Sequence, residues 1–264
     1  MSTSGYYDWL KREPSRQAIE RDAILERILS IFKESRETYG CPRMYDQLAR
    51  EGYKCSYNTV ERIMKANGVR PRRKSKVKRT TDSRHEHPIA ANVLDRDFKA
   101  STPDEVWVSD ITYINTAAGW LYLAVFIDLY SRMIVGWSMS NSITDDLVID
   151  AFEMGLGKRG RAPIVCHSDR GSQYASKDFR SLLKSTDTIR SMSRKGNCWD
   201  NAVSESFFGK LKTEEVYRNF YKSQMDARDA IFSYIEIFFN KQRRNSAIGY
   251  LTPEEKIDLV ETVA

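Results

Sequence analysis

Val106-Trp107-Val108-Ser109-Asp110-Ile111-Thr112-Tyr113-Ile114 is rich in β-branched and aromatic residues and sets a carboxylate in its middle. The pattern is that of a β-strand in which Asp110 shares a face with Val108 and Thr112. A charge placed among strand formers costs free energy unless something binds it. The stretch therefore points to a sheet and to a site on that sheet.

Downstream, Gly119 closes a turn, and residues 121–127 form an almost unbroken apolar run, as in a strand covered on both faces. Asp128-Leu129-Tyr130-Ser131-Arg132 makes the next turn, where Asp128 is either a turn cap, the reading its place before Ser131-Arg132 favours, or a fourth acidic ligand, and residues 133–139 return as a third strand. A helix is expected over 145–155. A buried strand over 162–169 then ends on Asp169, at the carboxyl end where open α/β sheets place their ligands. Another helix and a short strand near 188–192 follow. Asp200-Asn201-Ala202-Val203-Ser204-Glu205-Ser206-Phe207-Phe208-Gly209-Lys210-Leu211-Lys212 then reads as a helix capped by Asp200 or Asn201. Its apolar stripe is Ala202, Val203, Phe207 and Leu211, while Glu205 and Lys212 share another face. Thirty-five residues separate Asp169 from Glu205. Asp110, Asp169 and Glu205, on two strands and a helix, are the three acids that a two-metal phosphoryl-transfer site needs. The order of three strands, helix, strand, helix, strand, helix is ribonuclease H-like: an α/β fold with a mixed five-stranded sheet and flanking helices.

Upstream the periodicity is helical. Ile24, Leu25, Ile28, Leu29, Ile31 and Phe32 recur at helical spacing, and Tyr39-Gly40-Cys41-Pro42 breaks the pattern before a second helix that buries Met44, Tyr45 and Leu48. After the turn Gly52-Tyr53-Lys54-Cys55, Ser56 caps a third helix that ends at Asn67-Gly68. Val60, Ile63 and Met64 face inward, leaving Asn58, Glu61, Arg62 and Lys65 outside. The arrangement is either a helix-turn-helix or a plain three-helix bundle. Seven of the ten residues from Arg70 to Arg79 are Lys or Arg and none is acidic. Behind a helix-turn-helix, Arg72, Arg73, Lys74 and Lys76 are suited to lie along phosphates, with Asn58, Arg62 and Lys65 on the third helix as further DNA contacts.

The expected domains are a small all-α helix-turn-helix domain over 20–69, a basic linker over 70–99, the catalytic core over 100–222, and a helical extension over 223–264 that closes the core. In the extension an amphipathic helix over 224–240 packs through Ala227, Ile231, Tyr234, Ile235 and Phe238. The run Lys241-Gln242-Arg243-Arg244 beyond it either touches DNA or complements the helix dipole.

The net charge of +6 divides unevenly. Residues 1–100 hold 22 Lys/Arg against 14 Asp/Glu, and residues 101–264 hold 20 against 22, so the basic excess lies upstream. A hydrophobic fraction of 41% excludes general disorder. No apolar run approaches the ~20 residues of a membrane span, and the N-terminus has no apolar signal segment, so a soluble, intracellular protein is expected. Cys41, Cys55, Cys166 and Cys198 show no close pairing and read as free thiols; a zinc site from Cys41, Cys55, His85 and His87 fits no standard spacing.

The stretches around Asp110, His167-Ser168-Asp169-Arg170-Gly171-Ser172-Gln173-Tyr174, Ser193-Arg194-Lys195-Gly196-Asn197-Cys198-Trp199-Asp200-Asn201-Ala202 leading to Glu205, and Arg243-Arg244-Asn245-Ser246-Ala247-Ile248-Gly249-Tyr250-Leu251-Thr252-Pro253 closely resemble one family. It is the OrfB transposases of the insertion-sequence-three family, in the superfamily of DDE transposases and retroviral integrases. Family members often have His where Asn245 stands. The resemblance implies an integrase catalytic core in which Asp110, Asp169 and Glu205 coordinate two Mg²⁺ or Mn²⁺ ions and catalyse DNA nicking and strand transfer. It also implies joining of the element's ends through a circular intermediate, a homo-oligomer on DNA, work at the nucleoid of the bacterial cytoplasm, and a partner, the OrfA product, either separate or fused by frameshifting. Lys212 is either a phosphate contact or a solvated lysine, Asn201 a residue that positions Glu205 or DNA, and His167 either an orienting or acid/base group or a buried strand-end residue. The competing readings are another ribonuclease H-like nuclease and a non-catalytic DNA-binding regulator.

Overall fold

The computed structural model describes residues 13–71, 88–194 and 198–261, together with Thr3 and Tyr7. The chain forms two compact units, Met1–Arg72 and Arg73–Ala264.

In the first unit, α1 (Arg16–Glu34), α2 (Cys41–Arg50) and α3 (Tyr57–Ala66) start where the caps dictate. The hydroxyl of Ser15 accepts from the amide of Ala18, that of Ser56 accepts from the amide of Thr59, and Pro42 occupies the first turn of α2. Ile28, Ile31, Met44, Leu48, Val60, Ile63 and Met64 close one apolar core. Gly68 takes the left-handed conformation just beyond α3, at φ +68°, where a side chain would be strained.

The second unit is built on a five-stranded sheet in the order β3-β2-β1-β4-β5, from β1 (Val106–Thr116), β2 (Gly119–Asp128), β3 (Ile134–Ser140), β4 (Val165–Ser168) and β5 (Ile189–Met192). The first three strands run antiparallel, and β4 and β5 are parallel to β1. Alternation along β1 sends Val106, Val108 and Ile114 into one apolar cluster and Trp107 into the other. The first cluster is completed by α7 (Ala202–Glu214), α8 (Gln224–Phe232) and the π-helical segment Ser233–Phe239; α4 (Asp145–Arg159), the single turn α5 (Ser172–Ala175) and α6 (Lys177–Ser185) complete the second. A last helix, α9 (Pro253–Glu261), adds Ile257 to the second cluster. Close contact of α4 with β3 depends on Gly136, where an added Cβ would lie 2.0 Å from the carbonyl oxygen of Ala151. No helix of the described residues is long and apolar enough to cross a membrane.

Three expectations are corrected. Residues 88–99 are not linker: they line the core, with the amides of Val93 and Leu94 both donating to the hydroxyl of Ser191. They lack periodicity because their backbone groups are satisfied partly by the core and partly by local turns, as where the amides of Asp97 and Phe98 donate to the carbonyls of Leu94 and Arg96. Asp200 does not cap α7. Its buried carboxylate accepts from the backbone and guanidinium of Arg194, from Arg96 and from Asn92, all at 2.9–3.1 Å, and two arginines outcompete a helix terminus as partners. Arg194 first, then Arg96, holds that carboxyl well below the usual carboxylate range. The helix over 224–240 buries the expected residues but widens to a π-helix from Ser233.

Gly136→Ala should lower stability by about 3 kcal/mol or abolish folding, because the obstructing atom is backbone; Gly157→Ala, on α4 with nothing within 4 Å of its added Cβ, should be neutral or stabilise by up to about 1 kcal/mol. Thermal denaturation of the two variants checks this. Asp200→Asn should lower stability by about 2 kcal/mol at neutral pH. Because the native carboxyl titrates below its unfolded value of about 3.9, the stabilisation is fully present above that pH and fades below it. The gap between wild type and variant should therefore narrow in acid, as measured by urea melts against pH.

Candidate active site

Strand register places the first two acids. Val106, Trp107 and Val108 of β1 pair in parallel with Val165, Cys166 and His167 of β4. Continued by two residues, this register sets Asp110 beside Asp169, which follows the last residue of β4. Both are half-buried. One oxygen of Asp110 accepts from the amide of Ile111 at 2.8 Å, and one of Asp169 accepts from the amide of Gly171 at 2.8 Å. The phenol of Tyr174, buried beneath the strands and 2.7 Å from the hydroxyl of Ser109, lies within reach of both carboxylates. Burial first, then the charges of Asp110 and Asp169, holds it well above its usual pKa.

Glu205 sits in the first turn of α7 and is exposed. The helix is tied to β1 one turn earlier, where the side-chain amide of Asn201 donates to the carbonyl of Ser109 at 3.1 Å. Among the described residues no three Asp, Glu, His or Cys side chains converge as a metal-holding group. Strand register thus brings Asp110 and Asp169 to neighbouring positions, and Glu205 enters from the first turn of α7. The segment that leads into α7 includes residues 195–197, which lie outside the described residues.

Lys212 is not a solvated lysine. It is 7% exposed, and its ammonium lies 4.7 Å from the centroid of the Tyr113 ring. Burial lowers its pKa, and the charge of Asp110 opposes that shift. His167 is fully enclosed: Nδ1 lies 2.8 Å from the hydroxyl of Ser191, and Nε2 lies 2.9 Å from the carbonyl oxygen of Asp200. A carbonyl only accepts, so Nε2 carries the proton and Nδ1 accepts from Ser191. Burial pushes the imidazole pKa down to about 4, and the ring is a neutral brace between β4, β5 and the turn before α7. Asp128 is a buried turn cap that accepts from the amide and hydroxyl of Ser131 and from the amide of Asp104. Arg243 is not available to DNA: it is enclosed and donates twice to Glu214.

Sequence reasoning missed Asp104, a buried acid bonded to Arg159, Arg161 and the indole of Trp107. The only signal in the chain was the cluster of arginines at 159 and 161, too distant to pair by inspection.

In the first unit Asn58, Arg62 and Lys65 are exposed on α3, as the helical spacing predicts. Arg72, Arg73, Lys74 and Lys76, with His85 and His87, lie outside the described residues.

The donors at the strand ends suit a hard cation. Both are carboxylates, the adjacent imidazole has both nitrogens engaged, and Cys166 is buried with its thiol pKa raised by that burial. Oxygen-only coordination of this kind favours Mg²⁺ or Mn²⁺ over zinc.

Residues 20–77 match the HTH-like domain family, and residues 100–198 and 187–253 match two integrase core domain families. The chain is 40% identical over 261 residues to the transposase InsF of insertion sequence IS3A from Escherichia coli strain K12, covering 97% of this chain and 90% of the relative. It is 41% identical to a 31 kDa protein of insertion element IS600 from Shigella sonnei, over 96% of this chain and 93% of that one. A chain of the simian T-cell lymphotropic virus intasome, solved with the PP2A regulatory subunit B56 gamma, shares the fold at a TM-score of 0.52 and 17% identity; the match covers 80% of this chain and 69% of that one. With a five-stranded mixed sheet, the integrase core and a helix-turn-helix-like unit ahead of it, this chain belongs to the IS3 family of insertion-sequence transposases, enzymes that cut and join DNA strands.

Proposed function

We propose that Asp110, Asp169 and Glu205 are the catalytic acids of this transposase and that they hold two divalent ions, Mg²⁺ or Mn²⁺. The reading is carried by the parallel register that sets Asp110 beside Asp169 at the open end of β4, with Glu205 one turn beyond the bond that ties Asn201 to the same strand. Such ions would supply neutralisation of the phosphodiester charge and acidification of the attacking hydroxyl. The chain's own residues supply placement. The parallel pairing of β1 with β4 brings Asp110 and Asp169 to neighbouring positions, and Lys212 presents a desolvated ammonium that feels the charge of Asp110, where it suits a phosphate oxygen. With water as nucleophile the outcome is a nick at the element's end; with the freed 3′-OH it is transfer of that end into new DNA.

Recognition of the element's ends falls to the first unit. Asn58, Arg62 and Lys65 are exposed on α3, which would enter a major groove, and Arg72, Arg73, Lys74 and Lys76 would add phosphate contacts. The acids argue against a purely regulatory role, and a basic helix-turn-helix unit argues against a nuclease of RNA–DNA hybrids. A homo-oligomer on DNA, the OrfA product as partner, whether separate or fused, and action at the nucleoid of the bacterial cytoplasm complete the reading.

Each of Asp110→Asn, Asp169→Asn and Glu205→Gln should reduce Mg²⁺-dependent nicking of labelled element ends to the level seen in EDTA while duplex affinity stays within about twofold. A variant that still nicks removes that residue from the chemistry. Replacing Arg62 and Lys65 by Ala should weaken binding to duplex DNA and lower the slope of log affinity against log salt by about one per lost phosphate contact; fluorescence anisotropy over a salt series reads both.

A further inference from the structure

Where Lys212 meets the outer half of β1 lies a cleft whose other residues this mechanism does not use. Its walls are the tip of the β1–β2 hairpin and the chain that leaves the end of α7, and its volume is about 560 Å³, within the ~300–1,000 Å³ of sites that enclose small molecules. The two walls are joined where the amide of Ala117 donates to the carbonyl of Tyr221 at 2.9 Å. Tyr113 and Trp120 stand edge to face with ring centroids 5.1 Å apart, and Tyr217 and Phe220 face them across the opening. Three of these four rings are exposed: Trp120 by 49%, Tyr217 by 54% and Phe220 by 80%. Exposing that much aromatic surface at one place is costly in water and marks a binding surface.

We infer that this cleft is a pocket for an unstacked nucleobase of the DNA strand whose phosphodiester is held at Asp110. The inference rests on the phosphodiester reading of Asp110 and extends it to the neighbouring nucleotide. Charge and position select the occupant. Lys212 lines the cleft, its ammonium lies over Tyr113, and it feels the charge of Asp110, so it joins the aromatic walls to that carboxylate. A base seated among the rings would place its own phosphate at that ammonium, which lies over the Tyr113 ring and within the field of Asp110. A purely apolar protein partner would have to cover the ammonium and would gain nothing from it. Rings accept any base face, so the pocket would grip a displaced nucleotide regardless of its identity and help open the duplex at the cutting point.

The test uses the full chain with element-end duplexes that carry 5-iodouracil at each of the positions flanking the scissile phosphate. Irradiation should cross-link one flanking position to Trp120, Tyr217 or Phe220, as mapped by peptide mass spectrometry. Phe220→Ala combined with Tyr217→Ala should slow Mg²⁺-dependent nicking of a fully paired end about tenfold. A mismatch at the flanking position, which removes the need to unpair, should restore most of that rate; a merely structural defect would not be rescued. Cross-links confined to other residues, or a variant that nicks paired ends at the wild-type rate, would overturn the pocket while leaving the acids' role standing. Loss of a DNA-free oligomer in the variant, seen by light scattering, would also overturn it and assign the cleft to a second copy of the chain. Wild-type protein that cross-links at the cleft yet never nicks in Mg²⁺ would support the base contact and overturn the phosphodiester reading instead.

Discussion

The parallel pairing of β1 with β4 is the constraint on which the rest of the molecule depends. It joins an antiparallel three-stranded meander to a parallel pair, and both faces of the resulting sheet must then be covered. Helices on one face bury Trp107 and its neighbours, and those on the other bury Val106 and Val108. The same register carries Asp110 and Asp169 to one level at the end of β4. Core and site are therefore set by one set of backbone hydrogen bonds, and a slip of one residue would turn Asp110 to the opposite face.

Acidic residues in this unit divide by environment. Asp104, Asp128 and Asp200 are enclosed, and each is surrounded by donors: arginines and an indole, a serine turn, and two arginines with an asparagine. Such groups hold loops in place, because an enclosed carboxylate without donors would cost several kcal/mol. Asp110 and Asp169 are half-buried at a strand end, and their charges add to the burial that raises the pKa of Tyr174. Two negative charges held level by the fold are an arrangement with a use only when positive charge is brought to it.

The enclosed network around Asp200 also carries the approach to α7. Arg194 and Asp200 bracket the segment between β5 and the helix, Asn92 and Arg96 join it from the chain ahead of the core, and His167 braces it from β4. Residues 92–96 are thus in direct hydrogen-bonded contact with the turn that precedes α7.

The order of strands and helices, the caps at Ser56 and Pro42, the inward face of α3 and the role of Asp128 were legible because they follow from local rules: residue spacing, turn chemistry and helix termini. Asp110, Asp169 and Glu205 stood out for the same reason, as acids placed at strand positions and a helix start within a recognisable spacing. Nothing local could show that Asp200 pairs with arginines, that residues 88–99 line the core, that Asn201 ties α7 to β1, or that Lys212 is buried against Tyr113. Those depend on which segments meet after the sheet has closed, and partners about a hundred residues apart leave no periodic trace in the chain.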